Sequence, residues 1–229
     1  MFLPRWLRNR LHTRRLNELS IVIPPNEIRK RVKIVVVDDE RDSFPTTGLQ
    51  ADGYTVEWWD SLDASRLSRL EAGDFDIIIL DIQGIVAQGL SDTGDALGVL
   101  RRIKKVDPYQ VVVAFSGKAY DLSSVPFWKL TDDALRKPVT IIQCKELLDR
   151  LIQQRVSVNG YWQNIRDILE RSGATEKQIR TLESSVVTAA EGGTMLSIDQ
   201  LKTAVGALDS VDTVYVWIRR LIALCTLIF

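Results

Sequence analysis

The run Phe75-Asp76-Ile77-Ile78-Ile79-Leu80-Asp81 leaves this chain few ways to fold. Four consecutive β-compatible apolar residues, set between Gly73 and Gly84, suit a parallel strand covered by helices on both faces. Asp81 then stands at the rim of the sheet. Two similar runs lie on either side in sequence. Val32–Val37 leads into Asp38-Asp39, and Gln110–Phe115 leads into Ser116-Gly117. Ligands of open α/β sheets collect outside the carboxyl ends of the strands, so three polar strand ends converge on one pocket.

The pattern from Arg31 to about Arg155 alternates strands with helical segments. After the first strand a helix is predicted through about Gly53, and Tyr54–Trp59 reads as the second strand. Ala64–Ala72 gives a helix with Leu67 and Leu70 on one face. The Asp81 strand follows, then a long loop over Gln83–Asp92 and a helix carrying Leu97, Leu100 and Ile103. After the Ser116 strand, Lys118–Leu130 reads as irregular because Pro126 interrupts it. Ala134–Pro138 makes a short fifth strand, and Leu147, Leu148, Leu151 and Ile152 pattern the closing helix. Five strands joined by helical crossovers predict an α/β fold with a doubly wound parallel sheet.

Charge is distributed unevenly along a chain whose net charge is +0. Residues 1–33 hold nine basic and two acidic residues, a net of +7, while 34–138 hold 11 basic and 18 acidic, a net of −7. An acidic middle fits a cation site better than a nucleic-acid face. Asp38, Asp39 and Asp81 in one pocket repel one another, and a divalent cation with oxygen ligands relieves that repulsion. Mg²⁺ needs few protein carboxylates and keeps waters that a phosphate oxygen can replace. Lys137 adds a positive charge and Ser116 a hydroxyl. Such a site suits an incoming phosphoryl group, with Asp81 as the in-line nucleophile.

Val-Val-Val-Asp38-Asp39-Glu, Ile-Leu-Asp81-Ile, Phe-Ser116-Gly117 and Arg-Lys137-Pro138, in that order, resemble the receiver domain of two-component response regulators. The resemblance covers about 125 residues of the chain and rests on four ordered motifs, each weak alone. It implies a flavodoxin-like fold with strand order 2-1-3-4-5. It implies Mg²⁺ held by Asp39, Asp81 and the backbone carbonyl of Gln83, with Asp38 acting through water. Asp81 is the implied phosphoacceptor, and Ser116 and Lys137 are the implied contacts to its phosphoryl group. The implied partner is a sensor histidine kinase or phosphotransfer protein, and the implied role is signalling in the cytoplasm rather than metabolic catalysis. Two departures stand out. Ala134 occupies the place where receivers usually carry Tyr or Phe, and the loop after Asp81 is long, with Gly94 displaced along it.

The sequence thus divides into a basic amphipathic extension over 1–30, a receiver-like domain over 31–155 and a helical region over 156–229. The extension interleaves Phe2, Leu3, Trp6, Leu7 and Leu11 with arginines, and fits peripheral membrane contact or packing on a domain. Pro24-Pro25 reads as a linker that ends any helix. In the tail, Trp162, Ile165, Ile168 and Leu169 follow helical spacing. Thr175-Glu176-Lys177-Gln178 and Ser197-Ile198-Asp199-Gln200 each have the form that opens a helix. Thr213–Phe229 is apolar apart from Arg219-Arg220, too short and too charged for a membrane span, and suits a buried helix or a homo-oligomer contact. The last two segments are weakly similar to the helix pair of winged-helix output domains, which would make Arg219 and Arg220 contacts to DNA. With no strand platform or wing in the sequence, DNA binding stands as the alternative to a helical interaction module. A receiver-fold adaptor that is never phosphorylated is the third reading. Cys144 and Cys225 form neither a metal motif nor a disulfide framework and read as two core thiols.

Overall fold

The computed structural model describes residues 16, 24–82, 85, 95–117, 125–206 and 208–227. The basic extension up to Arg15, Gln83, Gly84 and Gly94, and most of the Gln83–Asp92 loop lie outside the described residues. The chain divides into two compact units. One runs from Arg29 to Ile152; the other is built from 153 onward together with the described residues before Arg29.

Runs of β-branched residues set the first unit. It takes in the last three residues of helix α1 (Pro25–Arg31), then strand β1 (Lys33–Val37), a 3-10 turn at Arg41–Ser43, helix α2 (Thr46–Ala51) and strand β2 (Thr55–Trp59). Helix α3 (Ala64–Glu71), strand β3 (Ile77–Asp81), helix α4 (Ala96–Val106) and strand β4 (Val111–Ser116) follow. Helix α5 (Val125–Leu130), strand β5 (Asp133–Arg136) and helix α6 (Ile141–Gln154) complete the order. Every residue of β3 and β4 is buried, as their unbroken apolar runs require. The sheet is parallel throughout, in the order β2-β1-β3-β4-β5, which is the predicted 2-1-3-4-5.

Register decides where the polar ends fall. Val37 pairs with Leu80, Asp81 with Phe115, and Ser116 with Arg136, so Asp38, Asp81, Ser116 and Lys137 finish adjacent strands at one level. On one face Leu67, Leu70, Leu100 and Ile103 of the crossover helices pack against Val35, Ile78 and Val112. Asp63 and Asp95 cap α3 and α4 through the N–H groups of Arg66 (2.7 Å) and Gly98 (2.8 Å).

Three local expectations change. Pro25 opens a helix instead of ending one, because the first helical position has no intrahelical bond to lose. The same reason lets α5 form with Pro126 in its first turn, where an irregular segment was expected. The single helix expected before Gly53 is a 3-10 turn and a short α2, divided at Phe44-Pro45.

The second unit holds helices α7 (Val158–Arg171), α8 (Glu176–Glu191), α9 (Ile198–Val205) and α10 (Val211–Cys225). Thr175 with Gln178, and Ser197 with Gln200, form reciprocal capping boxes at the expected starts of α8 and α9. Tyr161 meets Trp217 edge-on at 5.1 Å, tying α7 to α10, and Gln178 Nε2 donates to Val205 O at 2.9 Å, tying α8 to the end of α9. Buried Leu16 donates its N–H to Glu183 of α8 at 3.1 Å. No strand occurs among the described residues of this unit, and no described helix is long and apolar enough to cross a membrane. Cys144 and Cys225 are both buried and free, and burial pushes each thiol up to about 12.

Candidate phosphoacceptor and metal site

Asp38 follows β1 and is wholly buried, whereas Asp39 beside it is exposed. Asp81 ends β3 and Ser116 ends β4; both are buried. Lys137 follows β5, and its N–H donates to Ser116 O at 2.9 Å, so the ladder continues to the lysine. The Lys137–Pro138 bond is cis. Carboxylate oxygens of Asp38, Asp39 and Asp81 lie within 4.8 Å of one another.

Lys137 Nζ bridges two of these carboxylates. It donates to Asp38 Oδ1 at 2.8 Å and to Asp81 Oδ2 at 3.0 Å, with Glu40 Oε2 at 3.6 Å. Burial, the largest influence on this ammonium, pulls its pKa down; the hydrogen bonds and charges of Asp38 and Asp81 outweigh it and leave the pKa raised. The lysine therefore stays charged at neutral pH. Its Nζ also lies 5.0 Å from the centre of the Phe115 ring.

The donor set fits a hard divalent cation. Among the described residues three carboxylates converge here, and all the acidic ligand atoms are oxygen. Of the residues expected at the site, Asp38, Asp39, Asp81, Ser116 and Lys137 are brought to one rim. Gln83, the expected carbonyl ligand, lies outside the described residues.

Two further residues complete the Asp38 side. Glu40 N–H donates to Asp38 Oδ1 at 3.0 Å, and Ser43 Oγ donates to Asp38 Oδ2. Neither belongs to a strand end. Only the 3-10 turn that folds Ser43 back toward Asp38 reveals the second contact, and its one sequence trace is the spacing of five residues.

Ala134 pairs with Ala114 across the β4–β5 ladder. Ala134 offers no ring there, and helix α5 brings two described rings to this side of the sheet. Phe127 and Trp128 stand edge-on at 6.2 Å and pack with Leu130 and Ala134 on the same core face.

No family model matches the sequence, and no curated protein matches it. Among solved structures, the chain is similar to the chemotaxis protein CheY4 of Vibrio cholerae at 18% identity, over 52% of this chain and 97% of that one, with a TM-score of 0.42. It is similar to the response regulator TrrA of Thermotoga maritima, solved in complex with Mg²⁺-BeF, at 24% identity over 52% and 98% of the two chains, TM-score 0.42. A response regulator receiver domain protein of Clostridium thermocellum shares 25% identity over 53% and 94%, TM-score 0.41.

Proposed function

We propose that this chain is a response regulator of a two-component relay that accepts a phosphoryl group on Asp81 and signals through its helical tail. The observation that carries the reading is the Lys137 ammonium bridging Asp38 and Asp81 at 2.8 and 3.0 Å, beside the exposed carboxylate of Asp39. A lone capping aspartate needs no such cation, and a merely structural ion pair needs no third carboxylate.

In the transfer, an Asp81 oxygen forms a bond to phosphorus as the donor's P–N or P–O bond breaks; the leaving atom keeps the electron pair, as a carboxylate anion from an acyl phosphate or, with a proton taken from water, as a neutral imidazole from a phosphohistidine. Lys137 fixes the orientation of the Asp81 carboxylate beforehand and then offers its charge to the phosphoryl oxygens. Ser116 stands at the next strand end as a hydroxyl donor to the same oxygens. Asp39 and Asp81 would hold Mg²⁺, with Gln83 as the carbonyl ligand implied by the resemblance. When bound, the cation supplies further positive charge against the transferring group. The donor is a sensor histidine kinase or phosphotransfer protein, and helices α7–α10 are the output, through assembly or partner binding.

Incubation with acetyl phosphate, with and without Mg²⁺, tests this by intact mass on the wild type and on Asp81→Asn. A phosphoryl adduct that needs Mg²⁺ and is absent from Asp81→Asn is expected. No adduct on a folded wild type overturns the reading in favour of a docking adaptor. Sedimentation with beryllofluoride tests the tail: unchanged assembly removes self-association as the output.

A further inference from the structure

We infer that Ser43 is a positioning residue that holds the Asp38 carboxylate as the anchor of Lys137, an inference that rests on the phosphoacceptor reading. Asp38 is wholly buried, and an ionised carboxylate out of water must be met by donors. Three are shown. Oδ1 takes Glu40 N–H and Lys137 Nζ, whereas Oδ2 takes Ser43 Oγ alone among the contacts shown. Two donors on one oxygen leave the carboxylate free to pivot about that oxygen. The hydroxyl on Oδ2 removes the pivot and fixes the direction from which Asp38 grips the lysine.

The turn itself does not depend on that hydroxyl. Ser43 N–H closes the 3-10 turn on Glu40 O at 3.1 Å, and the next residue, Phe44, is buried edge-on against Phe115 at 5.5 Å. Backbone closure and aromatic packing hold the segment in place. The Ser43 side chain makes no other hydrogen bond among the described residues, so its Oγ acts on Asp38 alone. Residues that orient the carboxylates of a metal site change cation affinity by about 10–100-fold when removed.

The test titrates Mg²⁺ into the full chain and follows tryptophan fluorescence. Trp59 O accepts the Asp38 N–H at 2.9 Å, so an indole-bearing strand end adjoins the site. Urea midpoints are measured with and without Mg²⁺. Ser43→Ala is expected to weaken Mg²⁺ binding about tenfold, and Ser43→Thr, which restores the hydroxyl, is expected to recover wild-type affinity. A turn-capping role alone would lower the urea midpoint equally with and without Mg²⁺ and leave the affinity at the wild-type value; that result overturns the inference. Loss of affinity in both Ser43→Ala and Ser43→Thr also overturns it. If the folded wild type itself binds no Mg²⁺, the phosphoacceptor reading fails first and the inference falls with it.

Discussion

Lys137 is one cation shared by two buried carboxylates, and its removal separates binding chemistry from folding. Its side chain is only 13% exposed, so water screens the pairs with Asp38 and Asp81 weakly. Lys137→Met would leave those two carboxylates facing each other with no ammonium between them. Breaking a buried ion pair from one side costs roughly 3–5 kcal/mol. A loss near the lower end of that range is expected in Mg²⁺-free buffer, because Asp38 keeps Glu40 N–H and Ser43 Oγ. Added Mg²⁺ should return part of the lost stability, since a divalent cation neutralises the same charge. Phosphoryl transfer should not return, since the ammonium that orients Asp81 is gone. Urea denaturation with and without Mg²⁺, alongside intact mass after acetyl phosphate, reads both effects. Stability equal to wild type in Mg²⁺-free buffer would show that the bridge is not formed in solution.

At the scale of elements, helix propensity makes one forecast for two glycines that local geometry separates, and geometry should decide. Ala exceeds Gly by about 1 kcal/mol in a helix interior, which taken alone favours both Gly48→Ala in α2 and Gly160→Ala in α7. A Cβ at Gly48 would meet Cδ1 of Ile141 at 2.6 Å, the tip of a flexible side chain that can turn aside. A Cβ at Gly160 would meet the Arg155 carbonyl oxygen at 2.8 Å and its carbon at 3.1 Å, which are backbone atoms with nowhere to go. Gly48→Ala is therefore expected to be neutral or slightly stabilising, and Gly160→Ala to cost about 1–3 kcal/mol, the range for overpacking. Urea midpoints of the two variants check the contrast. Such backbone approaches leave no trace in a sequence. The strands do, because β3 and β4 are buried on both faces and are apolar up to the polar residue that ends each, and the capping boxes do, because their chemistry is local. The prolines misled for a related reason: Pro25 and Pro126 break a helix interior but not a first turn, and which of these they occupy depends on where the helix begins. Four of the site's strand ends were legible for the same local reason as the strands. Ser43 was not, since a 3-10 turn split from α2 at Phe44-Pro45 brings it back to Asp38.

At the scale of the whole chain, every described side chain of the candidate site belongs to the unit Arg29–Ile152, and that unit has its own core on a complete five-stranded sheet. A unit of this size with a continuous core is in the range of independently folding domains. Cutting must respect α6, which runs to Gln154 and buries Cys144, Leu147, Leu148, Leu151 and Ile152. It must also respect α1, whose Arg29 holds Asp149 through two hydrogen bonds at 3.1 and 2.7 Å while Tyr54 OH donates to the same carboxylate at 2.6 Å. That triad joins α1, the start of β2 and α6, so a fragment beginning at Lys33 would lose it. A fragment spanning 24–155 keeps both helices whole. It is expected to unfold in one cooperative transition, to bind Mg²⁺ with the affinity of the full chain, and to form the same adduct on Asp81. The assembly response to beryllofluoride should be absent, since helices α7–α10 are gone. If the fragment folds but binds Mg²⁺ more weakly, the site depends on the helical unit, and output and phosphoacceptor would have to be treated as one device instead of two.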